Sequence, residues 1–397
     1  MTSAARFDLA ILGAGSAGLS LAAALAESEG GARLKIAVIE ARADPPPDRG
    51  FAFWATPGEL QHSPWPLLGQ WRSWRFADRD GNQVLHEGGD ERHYAAVSAL
   101  IHRQHCLARI DERPEFQLIQ GVAVTELTSG DHAVAIRGEG FETSARHIVD
   151  ARNHADHSPL KARLYQQFVG HVLQLAEPVG NPQRAELMTD MSADEHGFRF
   201  VYSLPLGRDR VLVEETRFTP RILPWPRLEA DCRRIAASLF PGSAALPSAE
   251  RGIIPMGIAT MPPPTDPRIR LAGTRGGAVR AATGYAFRRI QDWACRNARQ
   301  VERHGLSALA GHPPEPRWRA AMDRLFLKVL QNHPDQAPAL FMALARGVSG
   351  IELADFLSDR GGLAIAARIV KAMPSRLFLR AVLRRGRPAE SWQPSSS

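Results

Sequence analysis

The first forty residues alternate between apolar and glycine-rich stretches. Residues 7–12 form a short apolar run, residues 13–18 read Gly-Ala-Gly-Ser-Ala-Gly, and residues 19–26 are rich in alanine and leucine. A second apolar run, residues 34–39, ends at Glu40. Short apolar runs predict strands and the alanine- and leucine-rich segment predicts a helix, so the order strand, tight turn, helix, strand indicates a βαβ unit.

The turn in this unit has the residue types that a bound dinucleotide requires. Gly13 permits the turn out of the strand, Gly15 lets the backbone approach a pyrophosphate, and Gly18 lets the helix pack closely on the sheet. A diphosphate at the helix N-terminus would meet free N–H groups and the positive end of the helix dipole. The predicted diphosphate-binding residues are Gly13, Ala14, Gly15, Ser16, Ala17 and Gly18.

The acid at the end of the second strand indicates which dinucleotide would bind. Glu40, followed by Ala41, stands 22 positions after Gly18. Its carboxylate would accept hydrogen bonds from ribose hydroxyls and would disfavour a 2′-phosphate, so FAD or NAD fits better than NADP. The alternative is a glycine-rich turn without a ligand. The dinucleotide site is favoured because strand, helix, second strand and acid are all in register.

Aromatic residues are concentrated just after this unit. Trp54, Trp65, Trp71 and Trp74 follow a proline-rich loop at residues 41–49. They fit two interpretations, core packing or the lining of a cavity for an elongated apolar or conjugated ligand.

The rest of the chain predicts further strands and helices. Residues 94–108 have helical spacing, and three strand-like runs follow, the last ending at Asp150, which we expect near the cofactor. Four more strand-like runs lie within residues 165–250, with a hairpin turn at 207–210 and a helix at 227–239. They predict a mostly antiparallel sheet.

A second glycine-rich turn follows another short strand. Residues 268–273 run into glycine, and residues 281–286 lead into a long helix. A second helix N-terminus suits the second phosphate, so we expect cofactor contacts here. The predicted contacts are Gly273, Thr283, Gly284 and Tyr285. Residues 318–383 read as helices separated by proline and glycine.

These segments predict an α/β fold with a Rossmann-type FAD-binding domain, as in glutathione-reductase-like flavoproteins, an antiparallel β-sheet substrate domain and a helical C-terminal region. The expected boundaries are residues 1–55, 86–165 and 250–310 for the discontinuous FAD-binding domain, 56–85 and 166–249 for the substrate domain, 311–386 for the helical region and 387–397 for a disordered tail.

The composition indicates the cellular compartment and the kind of partner. Cys106, Cys232 and Cys295 are widely spaced and odd in number, which indicates reduced thiols in the cytoplasm and neither disulfides nor a metal site. We expect no transmembrane helix and, since the first strand starts at once, no signal peptide. The net charge of +7 fits a nucleic acid or an anionic membrane. Basic residues are not interleaved with aromatics, so we expect no nucleic acid but peripheral contact with lipid at the inner face of the cell membrane.

A basic segment near the C-terminus is the candidate for that contact. Residues 368–387 combine apolar positions with seven basic residues and contain no acid. Such a segment predicts an amphipathic helix that lies in a membrane interface or, alternatively, packs on the body of the protein.

Two adjacent acids are candidates for chemistry. Glu214 and Glu215 follow the apolar run 211–213. Neighbours on a strand face opposite ways, so only one of them points at a given cavity. In an apolar cavity desolvation would raise the pKa of that acid and keep it protonated, ready to donate a proton. The alternative is a strand end that leads into a charged loop.

Several runs together resemble the lycopene cyclase family of FAD-dependent proteins in order and spacing. They are residues 167–170 (QFVG), 188–190 (MTD), 197–205 (GFRFVYSLP), 213–216 (VEET), 252–256 (GIIPM) and 283–285 (TGY). The resemblance implies an enzyme of carotenoid biosynthesis that turns the linear ψ-ends of lycopene, or a related linear carotenoid, into β-rings. It also implies that the first acid of the pair, Glu214, donates the proton. The family needs reduced FAD, formed with NADPH or another electron donor, although the reaction involves no net redox change.

The same fold supports other functions. A flavin monooxygenase or a prenyl-chain or polyene reductase would use the flavin for redox chemistry, and a carrier would bind FAD or a polyene without catalysis. None of these requires an acid at Glu214, so that residue discriminates between them and a cyclase.

Overall fold

A computed structural model of the chain describes residues 6–153, 160–258 and 261–383. These residues form three β-sheets and ten α-helices. The strands are β1 (Phe7–Leu12), β2 (Ile36–Glu40), β3 (Gly50–Ala55), β4 (Leu67–Trp71), β5 (Ser73–Asp78), β6 (Gln83–Glu87), β7 (His93–Ser98), β8 (Phe116–Gln120), β9 (Val124–Ser129), β10 (Val134–Gly138), β11 (Phe141–Asp150), β12 (Leu164–Gln174), β13 (Arg184–Asp194), β14 (Gly197–Pro205), β15 (Arg210–Thr219), β16 (Ala244–Met256) and β17 (Ile269–Leu271). The helices are α1 (Ser16–Glu27), α2 (Pro57–Gln61), α3 (Ala99–Asp111), α4 (Trp225–Leu239), α5 (Phe287–His304), α6 (Arg317–Asn332), α7 (Ala337–Gly347), α8 (Gly350–Leu357), α9 (Leu363–Ala372) and α10 (Ser375–Leu383).

The first sheet is the predicted Rossmann-type unit. Its order is β8-β2-β1-β11-β10-β9, and β17 also pairs with β11. Strands β8, β2, β1, β11 and β17 run parallel, as a sheet connected by crossover helices requires. The alanine- and leucine-rich face of α1 packs on this sheet together with Trp293 of α5. The first predicted strand and helix are therefore confirmed.

The second sheet is the predicted antiparallel one. Its order is β16-β12-β15-β14-β13-β5-β6, and all neighbours are antiparallel except β13 and β5. Helix α4 covers one face, where Leu228 and Cys232 pack against Val169. A small third sheet, β3-β7-β4, completes the fold, whose predicted class is confirmed. The predicted domain boundaries stay a prediction.

Two predicted helices differ in the structure. Residues 94–98, predicted as the start of a helix, belong to strand β7, and the helix begins only at Ala99. The predicted helix over residues 368–387 is divided, since α9 ends at Ala372 and α10 begins at Ser375. Pro374 lies at the break, because proline lacks an N–H and clashes with the preceding turn. The remainder of that segment, residues 384–387, and the predicted tail lie outside the described residues. No helix in the described part of the chain is long and apolar enough to cross a membrane.

A cluster of charges is buried within the second sheet. The side chain of Glu215 is fully buried, and its Oε1 accepts hydrogen bonds from Nε of Arg199 at 3.1 Å and from Nε of Arg217 at 3.0 Å. Arg217 also pairs with Asp194 at 2.6 Å and with Asp231 at 3.2 Å. Glu215 thus compensates two buried cations at once.

This cluster leads to a prediction about stability. Glu215→Gln should lower the free energy of unfolding by about 3 kcal/mol, because removing one member of a buried ion pair leaves the other charge poorly compensated. Chemical denaturation monitored by tryptophan fluorescence measures the change. Glu214→Gln is the matched control and should unfold like the wild type. Equal stability of the Glu215 variant would contradict a structural role for this ion cluster.

Candidate active site

A cavity of about 1160 Å³ extends from the glycine-rich turn to the C-terminal helices. The second sheet supplies much of its apolar wall. The wall contains Phe200, Leu204, Leu212 and Phe218 of the second sheet, together with Phe326 of α6 and Phe341 of α7. Most predicted site residues lie on the same cavity. These are Gly13, Ala14, Gly15, Ser16, Ala17, Glu40, Ala41, Glu214, Gly273, Thr283, Gly284 and Tyr285. Gly18, Asp150 and Glu215 do not line it.

The glycine-rich turn leaves room for a ligand at one position. Gly13 has φ +96°, a conformation that favours glycine. A Cβ added to Gly18 would lie 2.0 Å from the carbonyl oxygen of Gly13, so this glycine serves the packing of helix on turn. A Cβ added to Gly15 would have no neighbour within 4 Å. Gly15 precedes the first residue of α1, where the buried Oγ of Ser16 has no hydrogen-bond partner among the described residues.

Glu40 holds the turn to the second strand. Its Oε2 accepts a hydrogen bond from the Ala14 N–H at 2.6 Å, and its Oε1 accepts one from the Arg42 N–H at 3.0 Å. Arg103, which the sequence interpretation did not find, is buried and donates from Nη1 to the Ala14 carbonyl at 3.2 Å. Arg103 also lines the cavity and so places a positive charge beside the turn. A lone arginine within a helix gives no sequence signal for such a place.

The second turn approaches the cavity through two glycines with positive φ. Gly273 has φ +62°, and its N–H donates to Nε2 of His312 at 3.1 Å. Burial, helped by Arg289 and Arg296, lowers the pKa of His312 to about 3, so the neutral ring accepts this bond. Gly284 has φ +74°, and a Cβ there would lie 2.8 Å from Oε1 of Gln166.

Asp150 lies away from the cavity, although it ends the strand next to β1. It pairs with Arg152 at 2.8 Å and with Arg275 at 3.0 Å. Burial opposes its ionisation, but the two arginines hold the pKa of Asp150 below its usual range. The structure therefore places Asp150 in an ion cluster at the end of β11.

Glu214 is buried in the cavity wall, on the opposite side of β15 from Glu215. It pairs with Gly170 of β12 and Tyr202 of β14, and it is 7% exposed. Its Oε1 accepts a hydrogen bond from Oγ1 of Thr216 at 2.6 Å. Burial raises the pKa of Glu214 well above its usual value, and the negative charge of Glu250 raises it further. A carboxylic acid in this position stays protonated near neutral pH.

A second acid, Glu250, completes the polar part of the cavity. It lies on β16, forms a side-chain hydrogen bond with Glu214, and accepts the Gly50 N–H at 2.8 Å. Burial raises the pKa of Glu250 to about 7. The sequence interpretation missed this residue. The available signal was an acid two positions before the 252–256 run, but only strand pairing brings it to Glu214.

The tryptophans divide between the two interpretations made from the sequence. Trp54 lines the cavity, whereas Trp71 and Trp74 are fully buried in the core and Trp65 packs against Phe287 with ring centroids 5.3 Å apart. Beside Trp54, three tyrosine hydroxyls meet. The hydroxyl of Tyr94 lies 3.0 Å from that of Tyr202 and 3.5 Å from that of Tyr285.

No group of His, Cys, Asp and Glu within residues 6–153, 160–258 and 261–383 has the arrangement of a metal site. The three cysteines are free thiols, two buried and one exposed.

This chain is similar to two lycopene beta-cyclases over part of its length. It is 30% identical over 157 residues to the lycopene beta-cyclase of Pantoea ananas, which covers 38% of this chain and 39% of that protein. It is 27% identical over 232 residues to the lycopene beta-cyclase of a Paracoccus species, which covers 53% of this chain and 56% of that protein. The aligned regions thus span about half or less of these relatives.

Solved structures show the same fold at low identity. A geranylgeranyl bacteriochlorophyll reductase-like protein from Thermoplasma acidophilum is 14% identical with a TM-score of 0.62, covering 95% of this chain and 99% of that one. A mutant of the halogenase PltM in complex with FAD is 13% identical with a TM-score of 0.55, covering 94% of this chain and 85% of that one. The family model described as lycopene cyclase protein matches residues 8–383. The chain belongs to the lycopene cyclase family.

Proposed function

We propose that this protein is an FAD-dependent enzyme that cyclises the ψ-ends of lycopene, or a related linear carotenoid, to β-rings. The observation that carries the proposal is the carboxyl group of Glu214, buried in a largely apolar cavity where burial keeps it protonated. A monooxygenase or a polyene reductase does not require an acid there. The similarity to two lycopene beta-cyclases supports the same substrate.

The residues at the first turn fit FAD. A diphosphate would fit the open space at Gly15 and the N-terminus of α1. It could also accept hydrogen bonds from the buried Oγ of Ser16, which has no partner among the described residues, and from the guanidinium of Arg103. Glu40 suits ribose hydroxyls, which would replace the N–H groups it now accepts. Reduced FAD, formed with NADPH or another electron donor, would supply negative charge that stabilises a nearby carbocation.

The cavity residues suit acid-catalysed cyclisation. Glu214 would donate its proton to C2 of the terminal alkene, which leaves a tertiary cation at C1. The C5=C6 electron pair then forms the C1–C6 bond and leaves the cation at C5, and loss of the proton on C6 restores the double bond. The sum is an isomerisation without net redox change.

The aromatic and apolar walls suit the cationic intermediates. Trp54, Tyr94 and Tyr285 line the cavity near Glu214, and the face of an aromatic ring attracts a cation. Phe200 and Phe218 are among the residues that would exclude water from the cavity, because water would otherwise react with the carbocation.

The far end of the cavity suits delivery of a hydrocarbon from a membrane. Ile369, Val370, Met373, Phe378 and Leu379 of the C-terminal helices line this end. Within this group Val370 is 58% and Leu379 is 59% exposed, so apolar side chains face solvent at this end of the cavity. The exposed basic residues near them in sequence are Arg368, Lys371 and Arg376. A water-insoluble polyene could enter here from anionic lipid at the inner face of the cell membrane.

Cofactor binding can be tested at the two glycines of the first turn. Gly15→Val should abolish FAD binding in a folded protein, because its side chain has room in the structure but would occupy the place of the diphosphate. Gly18→Ala should instead impair folding, since its Cβ would lie 2.0 Å from a carbonyl oxygen. Flavin absorbance and the melting temperature separate the two effects. A normal flavin spectrum of Gly15→Val would refute this site.

The reaction can be tested with lycopene and chemically reduced FAD under anaerobic conditions. The wild type should give ring-containing products of unchanged mass, whereas a gain of 16 would indicate a monooxygenase and a gain of 2 a reductase. Glu214→Gln keeps the shape but removes the acid, so cyclisation should fall at least ~10²-fold with FAD still bound. Glu215→Gln should affect the rate much less. If the two variants behaved the other way round, the assignment of the proton donor would be wrong.

Membrane contact can be tested by flotation with anionic liposomes. Val370→Asp combined with Leu379→Asp should release the protein, because charge replaces the apolar surface that inserts into the interface. Leu239→Asp changes a leucine of similar exposure, 49%, at the end of α4 and should leave binding unchanged. High salt should weaken binding of the wild type. Undiminished flotation of the double variant would exclude this surface as the contact.

A further inference from the structure

Two carboxyl groups meet in the cavity because one residue between them is a glycine. Gly170 of β12 pairs with Glu214 of β15 on one side and with Glu250 of β16 on the other. A Cβ at Gly170 would lie 3.3 Å from Cβ of Glu214 and 3.1 Å from Cγ of Glu250. Any side chain there would crowd both acids. Because Gly170 has no side chain, the two carboxyl groups can approach each other across β12 and form a hydrogen bond.

The proposed reaction needs both an acid and a base in one place. A proton is added at C2 and a proton is lost from C6, and both carbons are bonded to C1. The two proton transfers therefore occur on neighbouring parts of the same ring. A pair of carboxyl groups in contact matches this demand, provided that one is protonated and the other ionised.

We propose that Glu250 is the general base, whose carboxylate accepts the proton from C6, and that the hydrogen bond between the pair returns this proton to Glu214. This inference rests on the proposed cyclase function. In balance, Glu214–H gives one proton to C2, the C6–H electron pair becomes the C5=C6 bond, and Glu250 takes one proton. Transfer from Glu250 to Glu214 then restores the starting state without an external acid, base or oxidant.

The surroundings favour the ionised form at Glu250. The Gly50 N–H donates to its carboxylate, and the positive charge of Arg49 stabilises it, although Asp48 opposes this. Glu214 has no cation among the groups that shift its pKa. Two carboxyl groups in contact in a largely apolar cavity cannot easily ionise together, so the pair holds one proton, and it resides on Glu214. The titratable and charged groups around the pair are Asp48, Arg49, Tyr94, Tyr202 and Cys232.

The base can be tested with Glu250→Gln, assayed beside the wild type with lycopene and reduced FAD. The rate of β-ring formation should fall at least ~10²-fold. The residual product should be enriched in ε-rings, which form when the cation loses a proton from C4 instead of C6. In the wild type the rate of β-ring formation should rise as the pH increases through about 7, because Glu250 ionises there. This rise should be absent from the pH profile of the variant. A merely structural residue would change neither the ring type nor the pH profile.

Gly170→Ala provides a second test that keeps both acids. Its methyl group would enter between them, so the β-ring rate and the ring ratio should change as in Glu250→Gln. Gly58→Ala is the control, because a Cβ at Gly58 has no neighbour within 4 Å. Flavin content shows that each variant is folded. If Glu250→Gln does not fold, the Gly170 variant decides.

The two proposals can fail separately. Glu250→Gln would overturn the role of Glu250 if it kept the wild-type rate of β-ring formation, ratio of ring types and pH dependence while Glu214→Gln was inactive. That result would leave the cyclase function intact. A wild type that forms no ring from lycopene would instead contradict the proposed function itself.

Discussion

The site depends on the cost of removing a carboxyl group from water. Glu214 and Glu215 are neighbours on one strand, yet the two faces of the sheet give them opposite environments. Glu215 meets Arg199 and Arg217, so its charge is compensated within the protein. Glu214 meets the hydroxyl of Thr216 and a second acid, so its ionised form is disfavoured. Alternation along a strand thus separates an acid paired with two arginines from one that faces the cavity and is held protonated.

The same strand pairing turns Glu214 toward the cavity that the first glycine-rich turn also lines. The cavity lies between the Rossmann-type sheet and the antiparallel sheet, so the glycine-rich turn and Glu214 line the same cavity. The loop before α5 is held in place by Arg280, which is buried and pairs with Asp323 of α6 and with Asp359. Its guanidinium also lies 4.4 Å from the ring centroid of Phe356. These contacts join the second glycine-rich turn to the C-terminal helices.

The C-terminal helices pack on the core with one side and expose the other side to solvent at the end of the cavity. One side of α9 and α10 packs on the core, where Ile369 and Ala381 are buried. The other presents Val370 and Leu379 to solvent at the cavity end. The two interpretations of this segment, a core helix and an interfacial helix, are therefore compatible, because the break at Pro374 lets two short helices turn different faces outward.

The sequence by itself determined the elements that depend on local pattern. The βαβ unit, the antiparallel strands and helix α5 follow from periodicity and turn residues, and the alternation rule predicted that Glu214 and Glu215 would face apart. Residues 94–98 were misassigned, since a short buried apolar run fits a strand or a helix equally well. Tertiary structure alone decided that Glu250 meets Glu214, that Arg103 reaches the first turn and that Asp150 lies outside the cavity. These are contacts between residues far apart in sequence, and strand register and packing, which no local pattern encodes, bring them together.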